Sequence, residues 1–216
     1  MFNISDAFDK INERIQNAAL RSGRDVSEIV LIAASKRIVL EDLKAAAHAG
    51  VTVFGENRVQ EGIAKFEITG FIKEIDALHL IGPLQSNKVK KVVGLFDLIH
   101  SIDSLHLAQK IDKEAGRQGI QQTVLIQVNI GGETSKHGVK PEQTAALVAA
   151  MQQLPHLDLQ GLMTLPPRSE DPEGARPYFA ALRDLGKSLG LKRFSMGMSG
   201  DFEIAIEEGA SWIRIG

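Results

Sequence analysis

Lys36 is the first residue of this sequence whose surroundings suggest covalent chemistry. It follows an uninterrupted run of apolar and small residues, 29–35 (IVLIAAS), which is typical of a buried strand in a parallel sheet. A lysine at the end of such a strand lies at the rim of the core, so we expect its side chain to be partly desolvated. Desolvation favours the neutral amine and makes it a nucleophile toward carbonyl groups. A lysine that simply extends from the strand end into solvent is the alternative.

Ser199 and Gly200 are the second feature that could do chemistry. They lie between a strand-like segment, 193–198, and a helical pattern that starts near Asp201. Backbone N–H groups at the start of a helix bind anions, and a small residue lets the anion approach closely. Eight-stranded barrels often bind a phosphate between the loops that follow strands seven and eight, which adds the backbone around Gly216. Alternatively, Ser199 is only an N-cap and Gly200 only a turn residue.

The elements that position these residues alternate as strand and helix, after a first helix that runs from Ser5 to about Gly23. The predicted strands are 29–35, 51–54, 77–81, 95–100, 123–129, 157–163, 193–198 and 211–215. Such alternation indicates right-handed βαβ units and a parallel sheet. It predicts a single α/β domain over residues 1–216, a (β/α)8 TIM-type barrel with an extra N-terminal helix and a chain that ends just after strand eight. An open doubly wound sheet is the alternative, but no Gly-x-Gly-x-x-Gly motif follows the first strand.

Composition excludes several classes of function. The net charge of −2 gives no electrostatic reason to expect a nucleic acid or an anionic membrane as partner. The chain has no cysteine, which excludes disulfides and thiolate metal sites, and its histidines show no metal-ligand spacing. No apolar run reaches the roughly 18 residues of a membrane span, and the acidic N-terminal segment is not a signal peptide. We therefore expect a soluble cytoplasmic protein without a bound metal, and we predict a monomer.

In such a barrel the ligand site lies at the C-terminal ends of the strands. Those ends carry a largely polar set of residues, which predicts a ligand site: Lys36, Asn57, His79 with Gly82, Ser101, Asn129, Met163, Met198 to Gly200, and Arg214 with Gly216. His79 either points into the barrel or is a hydrogen-bonded structural histidine. Lys136, in a glycine-rich loop, is the rival reactive lysine. We expect it to be solvated, because several residues separate it from the preceding strand.

The two chemical features together define a class of ligand. A nucleophilic Lys36 and a phosphate site at Ser199, Gly200 and Gly216 are expected on opposite sides of the barrel mouth, which predicts a ligand with both an aldehyde and a phosphate. Pyridoxal 5′-phosphate satisfies both requirements, with Lys36 as its Schiff-base partner. A phosphorylated sugar bound by a Schiff-base aldolase satisfies them equally.

Several segments together resemble the pyridoxal phosphate homeostasis protein family. They are 33–36 (AASK), 54–57 (FGEN), 79–88 (HLIGPLQSNK), 135–138 (SKHG), 161–163 (GLM), 196–199 (MGMS) and 212–216 (WIRIG). The resemblance covers essentially the whole chain. It implies a barrel similar to the N-terminal domain of alanine racemase, with pyridoxal 5′-phosphate held on Lys36. It also implies a carrier or regulator of the intracellular cofactor, which hands it to pyridoxal-phosphate-dependent acceptor enzymes, rather than an established enzyme.

The resemblance also assigns roles in the site. Arg214 would approach the pyridine nitrogen, while Ser199 and Gly216 would hold the phosphate. The remaining residues of the predicted cofactor-binding set are Asn57, His79, Met163 and Gly200. A guanidinium stays protonated at any working pH, so it disfavours protonation of a pyridine nitrogen beside it and weakens the ring as an electron sink.

Racemisation of the alanine racemase type needs a further base, a tyrosine from a separate domain. The only tyrosine of this chain, Tyr178, lies in the predicted helix after strand six. We therefore expect no efficient two-base racemase. A weak pyridoxal-phosphate-dependent racemase or transaminase of amino acids is the alternative function.

Two positions depart from the family pattern. Arg37 stands where the family usually has threonine, and we expect little effect because its side chain should alternate away from Lys36. The family continues past Arg-Ile-Gly with a threonine and a short Ile-Phe-Gly segment, whereas this sequence stops at Gly216. Because that threonine is expected to help bind the phosphate, we expect weaker cofactor binding unless the sequence is a shortened form.

Overall fold

A closed barrel of eight parallel strands organises the molecule, in a computed structural model that describes residues 4–133 and 136–216. The strands are β1 (Val30–Ala34), β2 (Val53–Glu56), β3 (Ala77–Leu80), β4 (Leu98–Ile102), β5 (Gln122–Gln127), β6 (Leu157–Met163), β7 (Arg193–Met198) and β8 (Trp212–Ile215). Each strand pairs with the next in sequence, and β8 pairs in parallel with β1. This arrangement confirms the predicted TIM-type barrel.

Helices and short helical turns cover the outside of the barrel. The α-helices are α1 (Ile4–Arg21), α2 (Leu40–His48), α3 (Val59–Gly62), α4 (Val89–Val92), α5 (Leu105–Gln118), α6 (Pro141–Met151), α7 (Arg176–Ser188) and α8 (Phe202–Glu207). A π-helical turn, Ile63–Glu67, continues α3. Among the described residues, no helix is both long and apolar enough to cross a membrane.

Helix α1 is the extra N-terminal helix that the sequence predicted. It packs against α8 and buries the small and apolar side chains of Ile15, Ala18 and Ala19. Ion pairs across this contact join α1 to α8, with Arg14 at 2.8 Å from Glu203 and the guanidinium of Arg21 at 2.9 Å from Glu207.

Strand alternation divides the apolar residues into two sets. Outward-facing side chains such as Phe54 and Leu78 pack beneath the helices. Inward-facing side chains form a separate cluster inside the barrel: Ile32, Ile81, Leu98, Leu125, Met163 and Trp212. Because this cluster fills the interior, as in other barrels of this type, the inside of the barrel has no room for a ligand, whereas the mouth does.

Several strand boundaries differ from the sequence prediction. Strand β2 continues through Gly55, because this glycine fits the crowded interior rather than a turn: a Cβ there would lie 2.6 Å from Cγ2 of Ile32. Strand β4 begins at Leu98 rather than at residue 95, since Phe96 is still in the preceding turn and is buried there. Strand β5 ends at Gln127, two residues before the predicted end.

Candidate functional site at the barrel mouth

A cavity of about 380 Å³ opens at the C-terminal mouth of the barrel. Five residues of the predicted cofactor-binding set line it: Lys36, Asn57, Ser199, Arg214 and Gly216. The other lining residues are Ala34, Ile81, Gly82, Pro83, Gln127, Lys136, His137, Leu165 and Met198. His79, Met163 and Gly200 were also predicted to bind the cofactor but do not belong to this lining.

Lys36 reaches the cavity from the turn that follows β1. Ile32 and Ala34 belong to the interior cluster and Ala33 packs outward, and Lys36 lines the cavity two residues after Ala34. The strand ends before Ser35, and the N–H of Ile38 donates to the Ser35 carbonyl oxygen at 3.2 Å to form a turn. Lys36 is exposed, so the prediction of a partly desolvated lysine is wrong. Its position at the cavity, not its burial, makes it a candidate nucleophile.

Lys36 and the predicted phosphate site are neighbours around the barrel. Strand β8 pairs with β1, and Arg214 is the register partner of Ile32. A Cβ built on Gly216 would lie 3.0 Å from that of Ala34. The expectation that Lys36 and the phosphate site lie on opposite sides of the mouth is therefore wrong, because closure of the barrel brings the first and last strands together. A small ligand can contact both.

Ser199 and Gly216 meet where β7 and β8 end. The Ser199 hydroxyl lies 3.1 Å from the Gly216 carbonyl oxygen and 3.3 Å from the Gly216 amide nitrogen. Within the described ranges, the N–H groups of Ser199 and Gly200 donate to no protein acceptor. Successive backbone N–H groups without partners are suitable donors to an anion.

The turn before α8 shows what Ser199 and Gly200 do locally. Asp201, not Ser199, is the N-cap residue of α8, and its carboxylate accepts a hydrogen bond from the Met198 N–H at 2.6 Å. The alternative that Ser199 is only an N-cap is therefore wrong. Gly200 lines a second, adjacent cavity together with Pro166 and Asp201.

Arg214 forms one wall of the cavity and is otherwise enclosed. It is 5% exposed. Its guanidinium donates to the Thr164 carbonyl oxygen at 3.0 Å and to the Ser195 hydroxyl. Desolvation lowers the pKa of Arg214 to about 10. The negative charge of the Asp201 carboxylate acts in the opposite direction and raises this pKa, but its effect is smaller. The group is thus still a cation at neutral pH, held by neutral acceptors.

A hydrogen-bond chain continues from Arg214 into the barrel. Because a guanidinium can only donate, the Ser195 hydroxyl accepts from Arg214. The same hydroxyl lies 2.8 Å from Nδ1 of His100, and Nε2 of His100 lies 3.1 Å from Nδ1 of His79. The guanidinium, the hydroxyl and the two imidazoles therefore form one connected network.

Both histidines of the chain are neutral. Burial lowers the pKa of His79 to about 4. The pKa of His100 is also lowered, first by burial and then by the charges of His79 and Arg214. Of the two alternatives for His79, it does point into the barrel, and there it is a hydrogen-bonded residue beneath the cavity lining. Met163, 1% exposed, belongs to the interior apolar cluster.

Lys136 lines the cavity, and hydrogen bonds fix the position of its side chain. Its side chain is 28% exposed, its Nζ donates to the Pro166 carbonyl oxygen at 2.9 Å, and it pairs with the Glu133 carboxylate. The expectation of a solvated Lys136 is therefore wrong. The neighbouring Ser135 lies outside the described residues. Asn129, predicted as a strand-end residue, instead supports this loop: its Nδ2 donates to the Glu133 carbonyl oxygen at 2.8 Å.

Gln127 and His137 are cavity residues that sequence reasoning missed. Gln127 is the true last residue of β5 and faces inward like Leu125, so a correct strand boundary would have found it. Its Nε2 donates to the His137 carbonyl oxygen at 3.1 Å. His137 belongs to the segment 135–138 of the family resemblance, but no residue pattern assigned it to the site, because its position depends on how the loop after β5 folds.

Comparisons with known proteins identify the family of this chain. The family model described as alanine racemase, N-terminal domain, matches residues 9–216. The pyridoxal phosphate homeostasis protein of Aquifex aeolicus (strain VF5) is 45% identical over 99% of this chain and 96% of its own length. The protein of the same name from Pseudomonas aeruginosa is 40% identical over 100% of this chain and 94% of its own. The chain belongs to the pyridoxal phosphate homeostasis protein family.

Solved structures share the fold of this chain. An unknown protein from Bifidobacterium adolescentis matches with a TM-score of 0.90 at 36% identity, over 99% of this chain and 93% of its own. PipY of Synechococcus elongatus PCC7942, solved with PLP bound, matches with a TM-score of 0.81 at 36% identity, over 95% and 97%. Alanine racemase of Clostridium difficile 630 shares the barrel fold, with a TM-score of 0.74 at 17% identity; the match covers 99% of this chain and 54% of the racemase.

Tyr178 does not take part in the site of this family member. It lies on α7, in the helical layer, and is not among the residues that line the cavity. The titratable side chains that do line the cavity are Lys36, Lys136, His137 and Arg214.

Proposed function

We propose that this protein binds pyridoxal 5′-phosphate at the barrel mouth and acts in the intracellular homeostasis of that cofactor. In this proposal Lys36 holds the cofactor as a Schiff base and releases it to pyridoxal-phosphate-dependent acceptor enzymes. The observation that carries the proposal is the adjacency of three groups in one cavity: the Lys36 amine, the unpartnered N–H of Ser199 and the buried Arg214 cation. The names of the relatives and the PLP bound to PipY support the same ligand.

The residues present suit each part of the cofactor. Among the described residues, the backbone N–H groups of Ser199 and Gly200 have no protein acceptor and can donate to the phosphate. They lie beside the Ser199 hydroxyl and Gly216, which bond to each other. Arg214 offers its guanidinium to the pyridine nitrogen, and Lys36 offers a primary amine to the aldehyde. The cofactor, when bound, supplies an electrophilic aldehyde that a lysine amine attacks reversibly. The reversibility of this bond lets a carrier retain the cofactor and release it.

The position of Arg214 favours a carrier over a fast enzyme. Its pKa of about 10 keeps it protonated at neutral pH, so it disfavours a proton on the adjacent pyridine nitrogen. A ring without that proton stabilises carbanions poorly, and catalysis on amino acids depends on that stabilisation.

A titration with pyridoxal 5′-phosphate tests the proposal. We expect a yellow absorption band that is absent in Lys36→Ala. Borohydride reduces the Schiff base, which bleaches the band and leaves the cofactor covalently attached to the protein. Lys73→Ala, which changes an exposed lysine away from the cavity, is the matched control and retains the band. Lys136→Ala tests the rival lysine and also retains it. A full band in Lys36→Ala, or an adduct with phosphorylated sugars but none with pyridoxal 5′-phosphate, would overturn the assignment.

A weak racemase or transaminase is the second candidate, because Lys136 and His137 also line the cavity and either side chain is a base that such chemistry needs. Steady turnover of L-alanine or L-serine with added cofactor, lost in Lys36→Ala and reduced in Lys136→Ala, would establish this activity. Binding without turnover supports the carrier.

A further inference from the structure

A buried ion pair lies directly behind Lys36, on the outer side of the sheet. Glu56, the last residue of β2, is fully buried, and the side chain of Lys65 is only 17% exposed. The Lys65 Nζ donates to Glu56 Oε1 at 2.9 Å. Neither residue lines the cavity, so neither is placed to contact a ligand there.

The same ammonium group holds the backbone that carries Lys36. Lys65 Nζ donates to the Ser35 carbonyl oxygen at 2.6 Å, and this carbonyl belongs to the peptide bond between Ser35 and Lys36. The third acceptor of the Lys65 ammonium is Glu61 Oε2, at 3.4 Å. The Ser35 hydroxyl lies 2.8 Å from Glu56 Oε1, to which it donates. All three N–H donors of the Lys65 ammonium therefore have acceptors. One of these acceptors is the carbonyl oxygen of the peptide bond that joins Ser35 to Lys36.

The turn that carries Lys36 needs such support. Arg37 has a φ of 62°, a left-handed conformation that is uncommon for a residue with a side chain. Strained conformations of this kind persist where the surrounding structure holds them. The Arg37 N–H lies 3.5 Å from Glu61 Oε2, so the network reaches both sides of Lys36. The strand-like alternation expected for Arg37 does not apply, since the strand ends before this turn.

The chain places Lys65 by means of an irregular helix. Helix α3 passes directly into the π-helical turn 63–67, which includes Lys65. Such turns are rare and occur frequently at functional sites. The apolar side of this turn is anchored by Phe66, which is fully buried against Phe54 and Phe71. The anchor explains why Lys65 can lie in the layer between sheet and helix while Phe66 packs in the core.

We propose that Lys65 and Glu56 are positioning residues for Lys36, fixing the 35–38 turn so that the Lys36 amine enters the cavity. The inference rests on the proposed function, because the reaction being positioned is the capture of the cofactor aldehyde. A small displacement of a reacting group, about 1 Å, slows a reaction on the order of 100-fold. Loss of Lys65 therefore affects covalent capture more than it affects non-covalent binding of the phosphate.

Three measurements on Lys65→Met separate these effects. The first is the rate at which pyridoxal 5′-phosphate becomes fixed on Lys36 by borohydride. The second is the affinity for pyridoxine 5′-phosphate, which carries the phosphate and the ring but no aldehyde. The third is the rate at which a limiting acylating reagent labels Lys36, measured by mass spectrometry and independent of any cofactor. Lys73→Met, which replaces an exposed lysine in the short helical turn Phe71–Glu74, is the matched control.

We expect Lys65→Met to slow fixation on Lys36 by about tenfold or more, to alter acylation of Lys36, and to bind pyridoxine 5′-phosphate as the unaltered protein does. Lys73→Met changes none of the three. Fixation and acylation of Lys36 at the unaltered rates in Lys65→Met would overturn the proposal. If the unaltered protein captures no pyridoxal 5′-phosphate, the proposed function fails, and the acylation rates alone decide the positioning role.

A second variant separates positioning from folding. Removing Lys65 alone leaves the Glu56 carboxylate buried without its partner, which can destabilise the barrel. The double variant Lys65→Met with Glu56→Gln removes both charges and keeps an acceptor for the Ser35 hydroxyl. We expect this variant to fold and to show the same slow fixation. If neither variant folds, the pair is a structural element of the barrel and the proposal is overturned.

Discussion

Arg214 is a buried cation whose hydrogen-bond partners are neutral groups. Within the described ranges no carboxylate lies within 4 Å of its guanidinium. A buried charge of this kind is tolerated only where hydrogen bonds offset its desolvation. The Ser195 hydroxyl and the Thr164 carbonyl oxygen accept those bonds, and the Ser195 hydroxyl also forms a hydrogen bond with His100. A ligand with a lone pair facing Arg214 adds one more acceptor.

Ser195→Ala tests this arrangement. Alanine removes the hydroxyl that accepts from Arg214 and contacts Nδ1 of His100, so two buried polar groups lose a partner. We expect the free energy of unfolding to fall by about 1–3 kcal/mol, and the absorption band of bound pyridoxal 5′-phosphate to shift because Arg214 is less well oriented. Urea unfolding and absorption spectroscopy measure the two effects. Ser188→Ala removes an exposed hydroxyl on α7 and should change neither; equal behaviour of the two variants would contradict the hydrogen-bond chain.

Individual site residues were predictable to different degrees. Lys36, Ser199 and Arg214 were found because strand ends in a barrel meet at one mouth, a rule that needs only the element order. Partners that lie far apart in sequence could not be found. The pairing of Lys65 with Glu56 depends on a π-helical turn, and the His79–His100 contact depends on how neighbouring strands align. Periodicity carries no information about either.

Among the secondary-structure elements, glycines determine how closely neighbouring strands can approach one another. Gly55 in β2 and Gly161 in β6 look like strand breakers, yet both lie within strands. A Cβ on Gly161 would lie 1.8 Å from the Arg193 carbonyl oxygen of β7. The backbones of β6 and β7 are therefore too close for any side chain at this point.

Gly161→Ala tests the close approach of β6 and β7. Because the obstacle is backbone and not a flexible side chain, the strands must shift, and we expect a loss of about 1–3 kcal/mol or more in the free energy of unfolding. Gly200→Ala is the matched control for stability, since no heavy atom lies within 4 Å of its Cβ position. Urea unfolding of both variants is the measurement. Equal stability of the two would show that the strands are not held this tightly.

The order of the elements was accessible from sequence, whereas their ends were less so. Eight strand-like segments that alternate with helical ones favoured the closed eight-stranded barrel over an open sheet. The extension of β2 through Gly55 and the end of β5 at Gln127 depend on contacts inside the barrel. The adjacency of the first and last strands also follows from closure, and it is the reason why the expectation of opposite sides of the mouth is wrong.

For the molecule as a whole, the buried neutral histidines link stability to pH. Both His79 and His100 have lowered pKa values in the folded protein, that of His79 to about 4, whereas an unfolded histidine titrates near 6.5. Below about pH 6.5 the unfolded state therefore binds more protons than the folded state. Stability is fully present above that pH and declines as the pH falls toward 4.

The effect is measurable in the mildly acidic range. We expect the free energy of unfolding to be lower at pH 5.5 than at pH 7.5 by about 1 kcal/mol for each buried histidine. His79→Gln removes its share of the difference, whereas His106→Gln, which replaces an exposed histidine, retains all of it. Urea unfolding at the two pH values provides the comparison. A pH dependence that is unchanged in His79→Gln would mean that His79 is protonated inside the barrel.

In the molecule as a whole, the barrel, the mouth and the positioning network all converge on the amine of Lys36. The direct measurement is mass spectrometry of the protein after incubation with pyridoxal 5′-phosphate, borohydride reduction and proteolysis. We predict one dominant phosphopyridoxyl modification, on the peptide that contains Lys36, which disappears when excess pyridoxine 5′-phosphate competes for the cavity. Modification centred on Lys136, or spread over exposed lysines and insensitive to the competitor, would contradict the account.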